Sequence, residues 1–359
     1  MGGKPRLLWS ELHMSTTSNP CWLSPCKVMA GGGFDFLWKQ VHDEGRKKRE
    51  ETGEQWLMDD QMEMHMERQT DAQTGVQTGA QTGGPEQVDI RREERRRRRR
   101  LAAEVILILL FTFGIVINES DFLGQDHTTV VQYLEVYSTF PFLLAYIVPF
   151  CLVMKYLCSK YEMHRLDLLI AGFCGAFIPA ALAGNLNDAF ADMMSHLMGH
   201  LYSDAWIGSA GTGILEELLK LGTTGLLLYV LGRRSLKDYL GIGMCVGIGF
   251  QIEEDLSYIT ESGFENTEKA FPTALDRVSA SFGSHWAYAA VTAAGLYLIA
   301  RGSGKHHRRK GYGLILLVMV DHFLYDTPLS NSLLINGLLT VAVVLPVLLF
   351  FQKPGDEAC

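Results

Sequence analysis

The chain of 359 residues predicts an all-α, polytopic integral membrane protein of about eight transmembrane helices, with both termini cytoplasmic. Three observations carry this expectation: composition is divided between two unlike parts, apolar runs recur at bilayer-spanning length, and basic residues fall on alternate connections. A hydrophobic content of 48% and a mean hydropathy of +0.09 would suit a soluble enzyme, but these averages pool a polar tail with an apolar body. Residues 1–100 hold 17 of the 32 Lys+Arg and 16 of the 40 Asp+Glu, which leaves 15 basic and 24 acidic residues for the remaining 259. The apolar runs of that second part exclude a soluble globule. Its acidic excess would repel phosphate, so nucleic acid is not expected as a partner.

Residues 1–100 read as a low-complexity cytoplasmic tail. Charges crowd around 44–54, and 72–83 repeats one tetrapeptide three times, as AQTG, VQTG and AQTG. Such a segment buries too little apolar area to offset its ordering entropy, which predicts disorder. Met14, Met29 and Met58 are alternative starts within it. The first residues lack the basic, apolar, small-residue order of a cleavable signal peptide, so insertion is expected to rely on the first internal span. The tail closes on Arg91, Arg92 and the run Arg95–Arg100, which abuts an apolar stretch beginning at Leu101. That placement predicts a cytoplasmic stop against the lipid bilayer rather than a nucleic-acid patch. Seven cysteines show no CxxC or zinc-ribbon spacing, and four lie in apolar runs, where a thiol acts as a small hydrophobe.

A helical membrane domain is expected over 101–352, with spans near 101–118, 138–157, 168–185, 211–231, 239–258, 279–300, 312–327 and 333–351. With the first span starting inside, the Arg91–Arg100 stretch, the inner connections and Lys353 hold 20 basic residues, and the outer connections hold two, Lys269 and Arg277. A missed or surplus span would scramble that segregation.

An ionisable side chain inside a span costs about 2.5–3.5 kcal/mol on insertion scales, so each asks for a reason. Span four carries Glu216, Glu217 and Lys220 in GILEELLKLG, where Lys220 is a turn away from both carboxylates and can neutralise either. Span five ends GFQIEEDLSY, which sets Phe250, Glu254 and Tyr258 on one stripe and turns Glu253 and Asp255 elsewhere. Span six places His285 two turns beyond Arg277, beside a strip of small residues. Span seven ends VMVDHFLYDT, with His322 and Asp326 at i, i+4. Each group alone reads as a snorkelling or interfacial charge, or as a packed histidine. Topology puts all four at a similar depth, roughly one to two turns below the outer surface, and charges placed independently would not avoid the inner halves of the same helices. One shared polar cavity is therefore expected.

At these residues the sequence resembles the PrsW-type intramembrane proteases, relatives of the CAAX-prenyl protease and Abi superfamily. The matching elements are Glu216-Glu217-x-x-Lys220, Gly249-Phe250-x-x-x-Glu254-Asp255-x-x-Tyr258, Arg277 followed by His285, and His322-x-x-x-Asp326, spread over a motif-bearing core at 211–328. Asp255 stands where the family pattern has Asn, and Glu253 is an extra acid. The resemblance implies a protease domain of the plasma membrane. Its implied substrate is a membrane-anchored protein cut near the outer face, such as an anti-sigma factor.

Physical chemistry agrees with peptide hydrolysis. A carboxylate partly withdrawn from water is a stronger base, and histidines can bind a developing oxyanion or a metal. In a metal-free version Glu216 with Glu254 activates water, Glu217 pairs with Lys220, and His322 with Asp326 steadies the tetrahedral intermediate. In a zinc version His285, His322 and Glu254 hold the ion and a glutamate of span four is the base, without any HExxH. A second ligand-rich stripe, Asp188, Asp192, His196 and His200, recurs every fourth residue before span four and reads more readily as an amphipathic surface helix. Two other classes remain open. An ion-coupled transporter would also bury Glu, His and Lys, although no internal repeat supports it, and a non-catalytic scaffold would keep the fold alone.

Overall fold

The computed structural model describes residues 85–122 and 128–352. The expected tail therefore lies outside the described residues up to residue 84, while 85–100 belong to the first helix. Every regular element described is helical. Helix α1 spans Pro85–Phe122, α2 Val130–Tyr137, α3 Leu144–Tyr161, α4 Arg165–Gly175, α5 Ala181–Met198 and α6 Ser209–Leu231. Helices α7 Leu236–Glu265, α8 Thr267–Ala280, α9 His285–Ala300, α10 Gly304–Asp326 and α11 Leu333–Gln352 complete the series.

Local chemistry sets these limits. Thr129 and Gln132 form a reciprocal capping box at the start of α2. Ser235 accepts from Asp238 N–H to open α7, and Asn266 accepts from Glu268 N–H to open α8. The third expected span continues past its anticipated end, because α4 runs through a π-turn at 176–180 directly into α5. Pro179 lies in that turn, where its missing N–H and its ring loosen the helical hydrogen-bond register without ending the rod.

Four stretches are long and apolar enough to cross a membrane: Arg92–Asn118, Val130–Tyr161, Arg165–Leu201 and Leu333–Gln352. Their outward leucines and isoleucines, such as Ile108 at 63% and Leu333 at 90% exposure, form a surface suited to lipid. The helices carrying the motifs do not meet the same apolar standard. Glu216, Glu217 and Lys220 interrupt α6, acids punctuate α7, basic residues open α10, and α9 has only 16 residues.

The core surrounds α9, whose Ala287, Ala290, Val291 and Ala294 are fully buried among α7 and α10. Small side chains allow that closeness. At one end of the bundle, Arg233 meets Asp167 at 2.5 Å, Lys237 donates to the Phe350 carbonyl at 2.6 Å, and Tyr161 donates to that of Phe351 at 2.6 Å. Near the other end, Ser209 donates to the Asp326 carbonyl at 3.2 Å.

One expectation is corrected. Arg277 and His285 do not share a helix: α8 ends at Ala280, and α9 begins at His285. Gly283, at φ +76°, makes the reversal between them, a conformation that L side chains rarely adopt. His285 is thus the first residue of its helix instead of lying in the second turn of a span that begins near 279.

Candidate active site

The site is built from five helices. On α6, Glu216, Glu217 and Lys220 are all buried, and Lys220 Nζ lies 2.6 Å from Glu217 Oε1 and 3.7 Å from Glu216 Oε2. The same ammonium reaches His285 Nδ1 at 2.8 Å and rests 4.2 Å above the Phe250 ring centre. Carboxylate, imidazole and ring face together stand in for the water shell of this side chain.

Helix α7 contributes Glu254, whose Oε2 lies 3.0 Å from His285 Nε2 and also pairs with Arg277. Asp255, also in the cavity lining, pairs with Arg277 Nε and accepts from Tyr146 Oη at 2.8 Å. Arg277 thus ties two carboxylates of α7 to α8, and its guanidinium also lies 4.6 Å from the Tyr258 ring centre. The variant acid at 255 consequently has a packing role, joining α3, α7 and α8.

His285 is placed by glycine. A Cβ at Gly247 would collide with the His285 carbonyl and the Trp286 backbone, so α7 and α9 meet backbone to backbone at this level. On α10, His322 Nδ1 lies 3.0 Å from Glu217 Oε1, while its Nε2 faces Asp326 Oδ2 at 3.4 Å and Glu216 Oε2 at 3.7 Å. Tyr288 stacks on the His322 ring at 5.0 Å and donates to Asp321 at 3.0 Å, which fixes the imidazole plane.

The sequence-predicted residues therefore come together around a cavity of about 280 Å³ lined by Glu216, Glu254, His285, His322 and Asp326. Glu217 and Lys220 lie behind its wall. Three contributors carried no local sequence signal: Asn187 of α5, which donates to Glu216 Oε1 at 3.1 Å, and the Ser284–Gln251 pair at 2.6 Å beside His285. The stripe Asp188, Asp192, His196 and His200 is exposed on and just beyond α5, outside the converging group.

Donor atoms of Glu216, His285 and His322 lie within 4.8 Å of one another, the one set of metal-ligand character that converges among the described residues. The sequence expectation had Glu254 in this set. The structure gives that carboxylate to Arg277 and His285, and Glu216 takes the place in the cluster.

Residues 164–351 match the family described as PrsW family intramembrane metalloprotease. The chain belongs to that family. As a PrsW-family member with four strongly apolar helices it is an integral membrane protein, and the family is one of intramembrane proteases. No curated protein and no solved structure matches it.

The residues fit the metal that the family description implies. Glu216 Oε2 is buried and makes no hydrogen bond among the described residues. Five carboxylates (Glu216, Glu217, Glu254, Asp255 and Asp326) surround two fixed cations, Lys220 and Arg277. This formal negative excess favours a divalent cation, and two imidazoles with one carboxylate suit zinc.

Proposed function

We propose that this PrsW-family protein is an endopeptidase that hydrolyses a peptide bond of a membrane-anchored protein near the outer membrane face. The observation that carries the reading is the convergence of Glu216, His285 and His322 on one buried cavity. The membrane topology that goes with it is eight spans with cytoplasmic termini. It is supported by the shared bundle end of Tyr161, Asp167, Arg233, Lys237 and Phe351, which the alternating basic connections require to lie on one side. The plasma membrane is the location in keeping with this topology.

Glu216, His285 and His322 would hold a zinc ion, which when bound supplies Lewis acidity to the scissile carbonyl and acidifies water. The remaining work falls to the chain. Asn187 and Lys220 orient Glu216, and the Glu217 contact fixes His322 Nδ1 so that Nε2 faces the cavity. Glu254, in contact with His285 and joined to Arg277, stands where it can accept a proton from the attacking water and return it to the leaving amine.

A metal-free second reading has a specific observation in its favour. Lys220 Nζ already serves Glu217 and His285 Nδ1 as a cation would, and Glu216 Oε2, which makes no hydrogen bond among the described residues, could then take the proton from water directly. Glu216 is central to both versions: it would hold the ion in the first, where Glu254 takes the proton, and takes the proton itself in the second.

The experiment is cleavage of a single-span reporter by the purified protein, with the cut mapped by mass spectrometry. A cut within the span or at its outer edge, lost in His322→Ala, is expected. Reporter left intact under every lipid condition by correctly folded protein would overturn the reading.

A further inference from the structure

A second cavity, of about 510 Å³, adjoins the first and shares Glu216, Glu254, Tyr258 and Thr212 with it. Its far wall is α5, with Ala180 and Ala181 at the turn into that helix followed by Ala183, Gly184, Asn187 and Ala191. These side chains leave room beside the helix: a Cβ built at Gly184 meets nothing within 4 Å. Small residues alone would say only that helices can approach. Two amides say more. Asn118 of α1 is 3% exposed, lines this cavity, and its Nδ2 has no hydrogen-bond partner among the described residues. Asn187 donates through Nδ2 to Glu216, and its Oδ1 is buried in the same wall without a partner among the described residues. The amide orientation at 187 follows from chemistry, since a carboxylate requires the donor end.

A buried donor and a buried acceptor left unpaired cost stability, and folded proteins rarely retain them without use. One unpaired N–H donor and one unpaired carbonyl acceptor are what an extended backbone satisfies, through its C=O and its N–H. A scissile bond must leave its helix to be attacked, because helical backbone groups are already paired and shielded. The described lining residues include no Lys or Arg, whereas Asp188, Asp204 and Glu261 are among them.

We propose that this second cavity binds the substrate segment next to the scissile bond as an extended strand with small side chains and a basic residue at the mouth, paired by Asn118 Nδ2 and Asn187 Oδ1. The proposal rests on the protease reading and adds a substrate class to it. Asn187 also joins substrate binding to the orientation of Glu216, which makes it a positioning residue.

Binding is measured apart from turnover, on the full chain carrying Glu216→Gln in lipid nanodiscs. The probe is a fluorescent single-span peptide with an Ala/Ser-rich juxtamembrane segment ending in lysine. Gly184→Leu, whose Cβ enters open space, is expected to weaken Kd about ten-fold, and Asn118→Leu about five-fold. Asn118→Leu should do so without lowering Tm, because it removes an unpaired buried donor; a structural amide would lower Tm instead. Replacing the probe's alanines by leucine, or its lysine by glutamate, should weaken binding to the parent and not to Gly184→Leu. Equal Kd for the parent and both variants, or a fall in Tm that accounts for the Asn118→Leu effect, overturns the proposal. Failure of the protease reading shows separately, as an uncut reporter with wild-type protein, and leaves these binding results readable.

Discussion

Lys220 Nζ lies 2.6 Å from Glu217 Oε1 one helical turn away, and both side chains are fully excluded from solvent. The pair anchors the site without facing the cavity, since Glu217 also holds His322 Nδ1 and Lys220 also holds His285 Nδ1. Two histidines from different helices are thus oriented by one ion pair on a third.

Removing one member of such a pair strands a buried charge. Lys220→Met is expected to cost about 3–5 kcal/mol of stability, read as a fall in Tm of the detergent-solubilised protein. The double variant Lys220→Met/Glu217→Leu should recover most of that loss while cleavage stays absent. A Lys220→Met protein that melts with the wild type would remove the anchoring role.

The backbone contact at Gly247 predicts a separable defect. Gly247→Ala inserts a methyl group against the His285 carbonyl, so α9 must shift and His285 with it. A displacement of about 1 Å at a reacting group can cost ~10²-fold in rate. Membrane insertion and expression should persist, and kcat for the reporter should fall by about that factor. An unchanged kcat would show that the site does not depend on this contact.

Much of this site was legible along single helices. Glu216, Glu217 and Lys220 on α6, and His322 with Asp326 on α10, fall one turn apart, so periodicity alone put them on shared faces. Legibility ended where geometry came from distant segments. The break at Gly283 has no periodic signature strong enough to separate Arg277 from His285, and a π-turn hides the continuity of α4 with α5. Asn187 lies 29 positions from the glutamate it orients, and Tyr146 lies 109 from Asp255, distances over which spacing says nothing.

Asp255 and Arg277 give a prediction of tolerance. Asp255→Asn keeps Oδ1 to accept from Arg277, and its Nδ2 can donate to the Tyr146 hydroxyl in place of accepting from it, so kcat/KM should change by less than about three-fold. Arg277→Lys loses the planar fork that serves Glu254 and Asp255 together, and should lower kcat/KM by at least about ten-fold. The reverse order of effects, from initial rates on the reporter, would contradict the assigned pairing.

Metal content separates the two chemistries. If Glu216, His285 and His322 hold zinc, exhaustive chelation abolishes cleavage, one equivalent of zinc restores it, and His322→Ala weakens retention of the metal about 10–100-fold or more. Cleavage that persists in demonstrably metal-free protein would assign the reaction to Glu216 and Lys220 instead.

The central claim is that the cavity of Glu216, His285 and His322 hydrolyses a peptide bond. Its most direct test is reporter cleavage by purified Glu216→Gln beside wild type, with folding confirmed by Tm. The account predicts that wild type cuts at one mapped bond and that the variant loses at least about 10³-fold in kcat. A folded Glu216→Gln protein that cuts the same bond at the wild-type rate would contradict it.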